Sequence, residues 1–288
     1  MDAVNRIENA LNLAFSRAEG PSCPPRLAAA MRSAVFPRGA RIRPRICLAV
    51  AAACGEDDPA IADAAAASIE LLHCASLVHD DLPCFDDADT RRGRPTIHAA
   101  YGEALAVLAG DGLIVLAFQN LTRAARSPHQ LAGLLNIIGY AVGAPSGIVA
   151  GQAWECEPTV DLAHYHRAKT ASLFAASTEA GAAASGAEAR PWRLLGARLG
   201  EAYQVADDIR DAVGNAQELG KPVGRDAALG RPSATQEFGV QGAVERLERL
   251  VREGIESIPL CPGANDLRAL IMLEATRLLP KGLARHAA

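Results

Sequence analysis

The sequence predicts an all-α fold, a single helical domain over residues 1–288. Three observations carry that prediction. Alanine is the commonest residue while aromatic residues make up only 4% of the chain, a balance that favours helix over sheet. Apolar residues recur at helical spacing in almost every segment between short Gly/Pro/Asp breaks. No segment of useful length alternates apolar and polar residues with the period of two that a half-buried strand needs.

The elements follow in order. Residues 3–19 place Val4, Ile7, Leu11 and Ala14/Phe15 on one face, and PSCPP at 21–25 ends that helix. A short helix is expected at 26–35, then a basic turn, FPRGARIRP, at 36–44. Pro44 suits the first turn of a helix running to about Cys54, where GEDDP closes it. The next helix spans about 60–81 and stops near Pro83, and DDADTRRGRPT at 86–96 reads as a polar loop. Helices are expected at about 98–126, 128–152, 161–185, 190–213, 234–257 and 264–278, with a second long loop at 214–233.

Composition narrows the function. The chain has a net charge of −4 and no basic run, so nucleic acid is not expected as a partner. No run of about 18 uncharged apolar residues is evident, so no transmembrane segment is expected, and MDAVNRIENA reads as an amphipathic helix rather than a signal peptide. Seven scattered cysteines, never spaced as C-x-x-C, point to free thiols in a reducing, cytoplasmic compartment. Lysine occurs only at positions 169, 221 and 281, with arginine supplying the other cations.

Two acidic clusters stand out. The first is His79-Asp80-Asp81-Leu82-Pro83-Cys84-Phe85-Asp86-Asp87, at the end of an apolar helix. Like charges so close repel, and a helix C-terminus disfavours anions. A bound cation resolves both problems, and hard oxygen ligands suit Mg²⁺, which shares its shell with phosphates. The second is Tyr203-Gln204-Val205-Ala206-Asp207-Asp208-Ile209-Arg210-Asp211. There Asp207 and Asp211 share a helix face, with Gln204 and Asp208 on the adjoining stripe. Alone, each cluster is as well explained by a solvated acidic surface. Together they are more specific, because cations follow each: Arg91, Arg92 and Arg94 after the first, Lys221, Arg225 and Arg231 after the second. Carboxylates alternating with Lys/Arg is what a metal–diphosphate site requires.

These motifs, with GQ at 151–152, KT at 169–170 and GKP at 220–222, resemble the trans-polyprenyl diphosphate synthase family, and within it the bacterial geranylgeranyl diphosphate synthases of the carotenoid type. The resemblance implies an isoprenoid-synthase bundle with a central apolar cavity, acting as a homodimer. It implies that isopentenyl diphosphate is joined to an allylic diphosphate (dimethylallyl, geranyl or farnesyl), with three magnesium ions per site. Asp80 and Asp86 would hold two of them and Asp207 the third, with Asp81, Asp208 and Asp211 in support. Arg91, Lys169, Thr170, Gln204 and Lys221 would bind the allylic diphosphate, and Arg41, His73 and Arg92 the diphosphate of isopentenyl diphosphate. The family's usual Gly-Gly-Lys-Arg turn reads Arg38-Gly39-Ala40-Arg41 here, so Arg38 or Arg43 is expected to replace the missing lysine at Ala40. Relatives carry aspartate where this chain has Glu155, a change that keeps the charge. Relatives that stop at fifteen carbons place an aromatic residue five before the first aspartate; Ala75 stands there, which implies a twenty-carbon product. Farnesyl diphosphate synthase, a terpene cyclase and a non-catalytic partner subunit are the rival readings.

Overall fold

The computed structural model describes residues 2–36, 39–56, 58–159, 162–213 and 233–278. They form α1 (Ala3–Ala18), α2 (Pro25–Val35), α3 (Ile42–Ala53), α4 (Pro59–Asp80), α5 (Ile97–Tyr101), α6 (Glu103–Ala124) and α7 (Pro128–Val142). There follow α8 (Ile148–Ala153), α9 (Leu162–His166), a π-helical turn (Arg167–Ala171), α10 (Ser172–Ala184), α11 (Arg193–Val213), α12 (Ala234–Glu256) and α13 (Ala264–Leu278). The expected all-α class holds. Among the described residues the extended structure is one small antiparallel ribbon, Thr90–Arg91 against Arg94–Pro95, turned by Gly93 at φ 74°. It lies within the loop predicted after the first acidic cluster.

Three predicted helices are divided. The helix expected at 98–126 breaks at Gly102, whose φ of 92° only glycine adopts cheaply. The one expected at 128–152 stops at Val142 and restarts at Ile148, across a Gly- and Pro-containing segment. The one expected at 161–185 passes through the π turn.

Two helices are buried nearly all round, and their composition explains why. In α4, Ile61, Ala62, every residue from Ala64 to Leu72, Cys74, Ala75 and Val78 are buried. In α10, Leu173 to Ala182 are buried without interruption. Alanine and glycine keep such helices thin, so neighbours approach closely: a Cβ on Gly181 would lie 2.3 Å from the Cys47 carbonyl oxygen. Two apolar clusters result. One joins α1, α2, α4, α6 and α7 around Phe15, Ile69, Leu113 and Ile138. The other joins α11, α12 and α13 around Leu195, Ile209, Leu247 and Leu267. Helices α3 and α10 contribute to both clusters.

Although neither is free of acids, α4 and α6 are long and apolar enough to cross a bilayer by length and composition. In α4 that apolarity faces protein, with 78% of its most apolar stretch buried. In α6 the figure is 44%, because Val107, Leu108 and Val115 are exposed.

Candidate active site

The π-helical turn Arg167–Ala171 is the hinge of the site. One extra residue per turn re-aims consecutive side chains, and such turns recur at functional sites. Here Lys169 and Thr170 face the two acidic clusters in succession. Lys169 Nζ lies 3.2 Å from Asp80 Oδ1, at the end of α4, and 2.7 Å from Glu155 Oε1. Thr170 Oγ1 donates to Gln204 Oε1 of α11 at 3.1 Å. Two adjacent residues therefore tie the first cluster to the second, which stand more than a hundred residues apart in the chain.

Glycine makes the approach possible. A Cβ on Gly151 would sit 2.4 Å from the Lys169 backbone nitrogen, and one on Gly200 2.6 Å from Ala171 Cα. The neighbouring Gln152, a buried residue given no role above, donates Nε2 to Asp80 Oδ1 and to the Ser76 carbonyl, both at 3.0 Å. It thus steadies the last turn of α4 and the carboxylate together. The GQ pair was the signal in the sequence; its partner was not. Tyr165 also escaped the sequence analysis: its hydroxyl donates to Glu155. Burial works against the Lys169 ammonium, but Asp80, Tyr165 and Glu155 outweigh it and hold its pKa above the usual lysine value.

The two aspartates of each dipeptide have different partners. Asp81 is buried and accepts from Arg91 Nε at 2.8 and 2.9 Å, with Nη2 2.6 Å away. Burial pushes its pKa up, and Arg91 opposes the shift. Asp86 is brought back beside the helix end by its own N–H, which donates to the Asp80 carbonyl at 2.9 Å. In α11, Asp207 is part-exposed, with Arg210 Nη2 3.8 Å from Oδ1. Asp208 and Asp211 are buried. Asp208 accepts from Gln204 Nε2 at 3.0 Å and from the Ala234 backbone N–H at 2.8 Å.

The cationic wall differs from expectation in one respect. Arg41 does not face the site. Its backbone is left-handed, φ 52°, and its fully buried side chain bonds Glu70 at 2.6 Å, Glu8 at 2.9 Å and the Val35 carbonyl at 2.9 Å. It ties the α3 entrance to α1 and α4. Arg43, two residues on, lies beside His73 instead: Nη1 is 3.4 Å from His73 Nε2, and the guanidinium stacks over Phe174, 4.5 Å from the ring centroid, beside Tyr203. Its Nε is buried with no hydrogen-bond partner among the described residues. Arg92 packs its guanidinium on Gly39, where a Cβ would lie 2.5 Å from Nη1. Burial, followed by Arg43, Arg92, Arg91 and Arg41, drives the His73 pKa well below the ordinary histidine value, so the ring is neutral. Of the two candidates to replace the lysine missing at Ala40, Arg43 is described, beside His73; Arg38 lies outside the described residues, as do Lys221, Arg225 and Arg231.

Ala75 is buried on α4, inside the first apolar cluster. A mostly apolar cavity of about 290 Å³, not lined by Ala75, opens between Ala40, Ile46, Phe174, Tyr203, Val251 and Ile271. Among the described residues no three His, Cys, Asp or Glu side chains converge as a ready-made metal cage. The geometry is two carboxylate sets contacted in succession by Lys169 and Thr170, with the cations Arg43 and Arg92 close to His73. That arrangement can grip a polyanion from several directions.

Comparison with known proteins identifies the family. The pattern of the polyprenyl synthetase family matches residues 24–259. A geranylgeranyl diphosphate synthase of Cereibacter sphaeroides is 52% identical over 280 residues, 97% of either chain. Another, of Rhodobacter capsulatus, is 51% identical over the same span, again 97% of both chains. In structure the chain is similar to a Helicobacter pylori geranyltransferase solved with magnesium and isoprenyl diphosphate, with TM-score 0.80, 30% identity and 96% of each chain covered. Motifs, fold and relatives converge: this chain belongs to the polyprenyl synthetase family.

Proposed function

We propose that this enzyme condenses isopentenyl diphosphate with an allylic diphosphate and releases geranylgeranyl diphosphate. The observation that supports the reading is that adjacent residues contact both clusters, Lys169 touching Asp80 and Thr170 donating to Gln204. The relatives in Cereibacter and Rhodobacter, both called geranylgeranyl diphosphate synthases, support the twenty-carbon product, as does the small side chain of Ala75.

Asp80, Asp86 and Asp207 are the residues that would hold magnesium, three ions in this reading, with Asp81, Asp208 and Asp211 in support. Their hard oxygen donors suit it, and the phosphates complete the shell. When bound, magnesium draws negative charge from the leaving diphosphate. Lys169 and Arg91 hold the same diphosphate; Arg91 is free to exchange Asp81 for phosphate because both partners are anions. Arg43, His73 and Arg92 bind the diphosphate of isopentenyl diphosphate. The allylic C–O bond breaks with its electron pair leaving on the diphosphate, the isopentenyl double bond attacks the resulting cation, and the released diphosphate takes the proton lost from the adduct. The apolar walls exclude the water that would otherwise trap that cation.

One domain, a homodimer and a cytoplasmic location complete the proposal. The exposed Val107, Leu108 and Val115 of α6 favour a second copy on that face. Seven free cysteines favour a reducing compartment. Incubation with isopentenyl diphosphate plus dimethylallyl, geranyl or farnesyl diphosphate, with products separated by chromatography, tests the activity. A twenty-carbon product is expected from all three primers. Accumulation at fifteen carbons would select farnesyl diphosphate synthase instead, and absence of any elongation would favour a partner subunit.

A further inference from the structure

The second acidic cluster contains a chain of hydrogen bonds whose direction is fixed. A carboxylate accepts and cannot donate. Asp208 therefore accepts the Ala234 N–H at 2.8 Å on one oxygen and the Gln204 amide N–H at 3.0 Å on the other. The Gln204 amide is thereby oriented, with Nε2 toward Asp208 and Oε1 away from it. Oε1 then receives the Thr170 hydroxyl proton, at 3.1 Å. Every donor in the chain points toward Asp208. Thr170 is left offering lone pairs to the site, and the second N–H of Gln204 is the donor that remains.

We propose that Asp208 is a positioning residue rather than a metal ligand, and that it sets the orientation of Gln204 and Thr170 at the diphosphate end of the site. Placement supports the assignment. Asp208 is buried at 4% exposure, whereas the Asp207 carboxylate is part-exposed; consecutive residues on a helix point about 100° apart. Asp208 also holds the first N–H of α12, one of the donors a helix start leaves without an intrahelical partner, while Ser233 takes the Gln236 N–H at 3.3 Å. The chain thus runs from the π turn through α11 to the start of α12. A metal bound at Asp208 would compete for oxygens that fix three elements.

The inference rests on the proposed function, so wild-type prenyl transfer is measured first; if it is absent, that reading fails, while melting and calorimetry still judge Asp208. The comparison is Asp208→Asn against Asp207→Asn, with magnesium affinity read by calorimetry in the presence of inorganic pyrophosphate. Asp208→Asn should leave that affinity within about twofold, lower Tm, and reduce kcat about tenfold or more with little change in KM, the size typical of supporting shells. Asp207→Asn should weaken magnesium at least about tenfold. Combining Asp208→Asn with Thr170→Val should cost no more than the larger single change, because both cut one chain. If Asp208→Asn fails to fold, Gln204→Leu with Thr170→Val supplies the same test of non-additivity from the middle of the chain. Loss of magnesium affinity in Asp208→Asn equal to that in Asp207→Asn, or effects of the paired changes that multiply, would overturn the assignment.

Discussion

The α4 side and the α11 side of the site each present a pair of adjacent aspartates, yet support them differently. On the α4 side the second aspartate, Asp81, is held by a cation, Arg91. On the α11 side the second aspartate, Asp208, is held by an amide and a peptide N–H. An ion pair can be exchanged when another anion arrives, whereas hydrogen bonds to a helix start and a packed amide are tied to the scaffold itself. The two sides thus differ in kind: an ion pair closes the α4 side, and hydrogen bonds from an amide and a helix start hold the α11 side.

That contrast can be broken at several points. The largest effect is expected where the sides agree: Asp80→Ala or Asp207→Ala should each lower kcat by at least about a hundredfold, with helix content by circular dichroism unchanged. Full activity in either variant at limiting magnesium would remove that residue from the metal set. Next comes stability on the α4 side. Arg41→Met leaves Glu70 buried without its partner, and breaking such a pair costs about 3–5 kcal/mol. Urea unfolding should show the loss. The matching change at Arg43 should instead raise KM for isopentenyl diphosphate while altering stability less, because that guanidinium faces the site.

A smaller effect concerns product. Ala75→Tyr should shift the product toward fifteen carbons; an unchanged profile would take α4 out of length control. The smallest is a pH effect. His73 is depressed by burial and by the surrounding arginines, so below about 6.5 the unfolded chain takes up a proton that the folded chain refuses. Tm should fall as pH drops from about 7.5 to 5.5, and His73→Gln should remove that part of the fall. A wild-type melting point flat across the range would mean His73 carries no such penalty.

The helices were legible because alanine-rich periodicity is a local property of the sequence. Their breaks were less so: Gly102 could have sat inside a helix at modest cost, and only the structure shows its φ of 92°. Both aspartate clusters were legible as motifs, since each sits in contiguous sequence with cations after it. Partners across the fold were not. Arg41 and Arg43 are the same residue type two apart, and nothing local says that a left-handed backbone turns the first toward Glu70. Gln152 finds Asp80 across a separation of 72 residues, and Asp208 finds the start of α12, which no spacing rule anticipates.

The π turn carries one more consequence. A bulge of this kind amounts to a single surplus residue lodged in an otherwise regular coil, with the peptide ladder interrupted to accommodate it. Excising one residue between Arg167 and Ala171 would heal the ladder, and it would also swing the ammonium of Lys169 away from Asp80. Regularity and chemistry make opposite demands on those five residues, and the chain has settled the conflict in favour of chemistry.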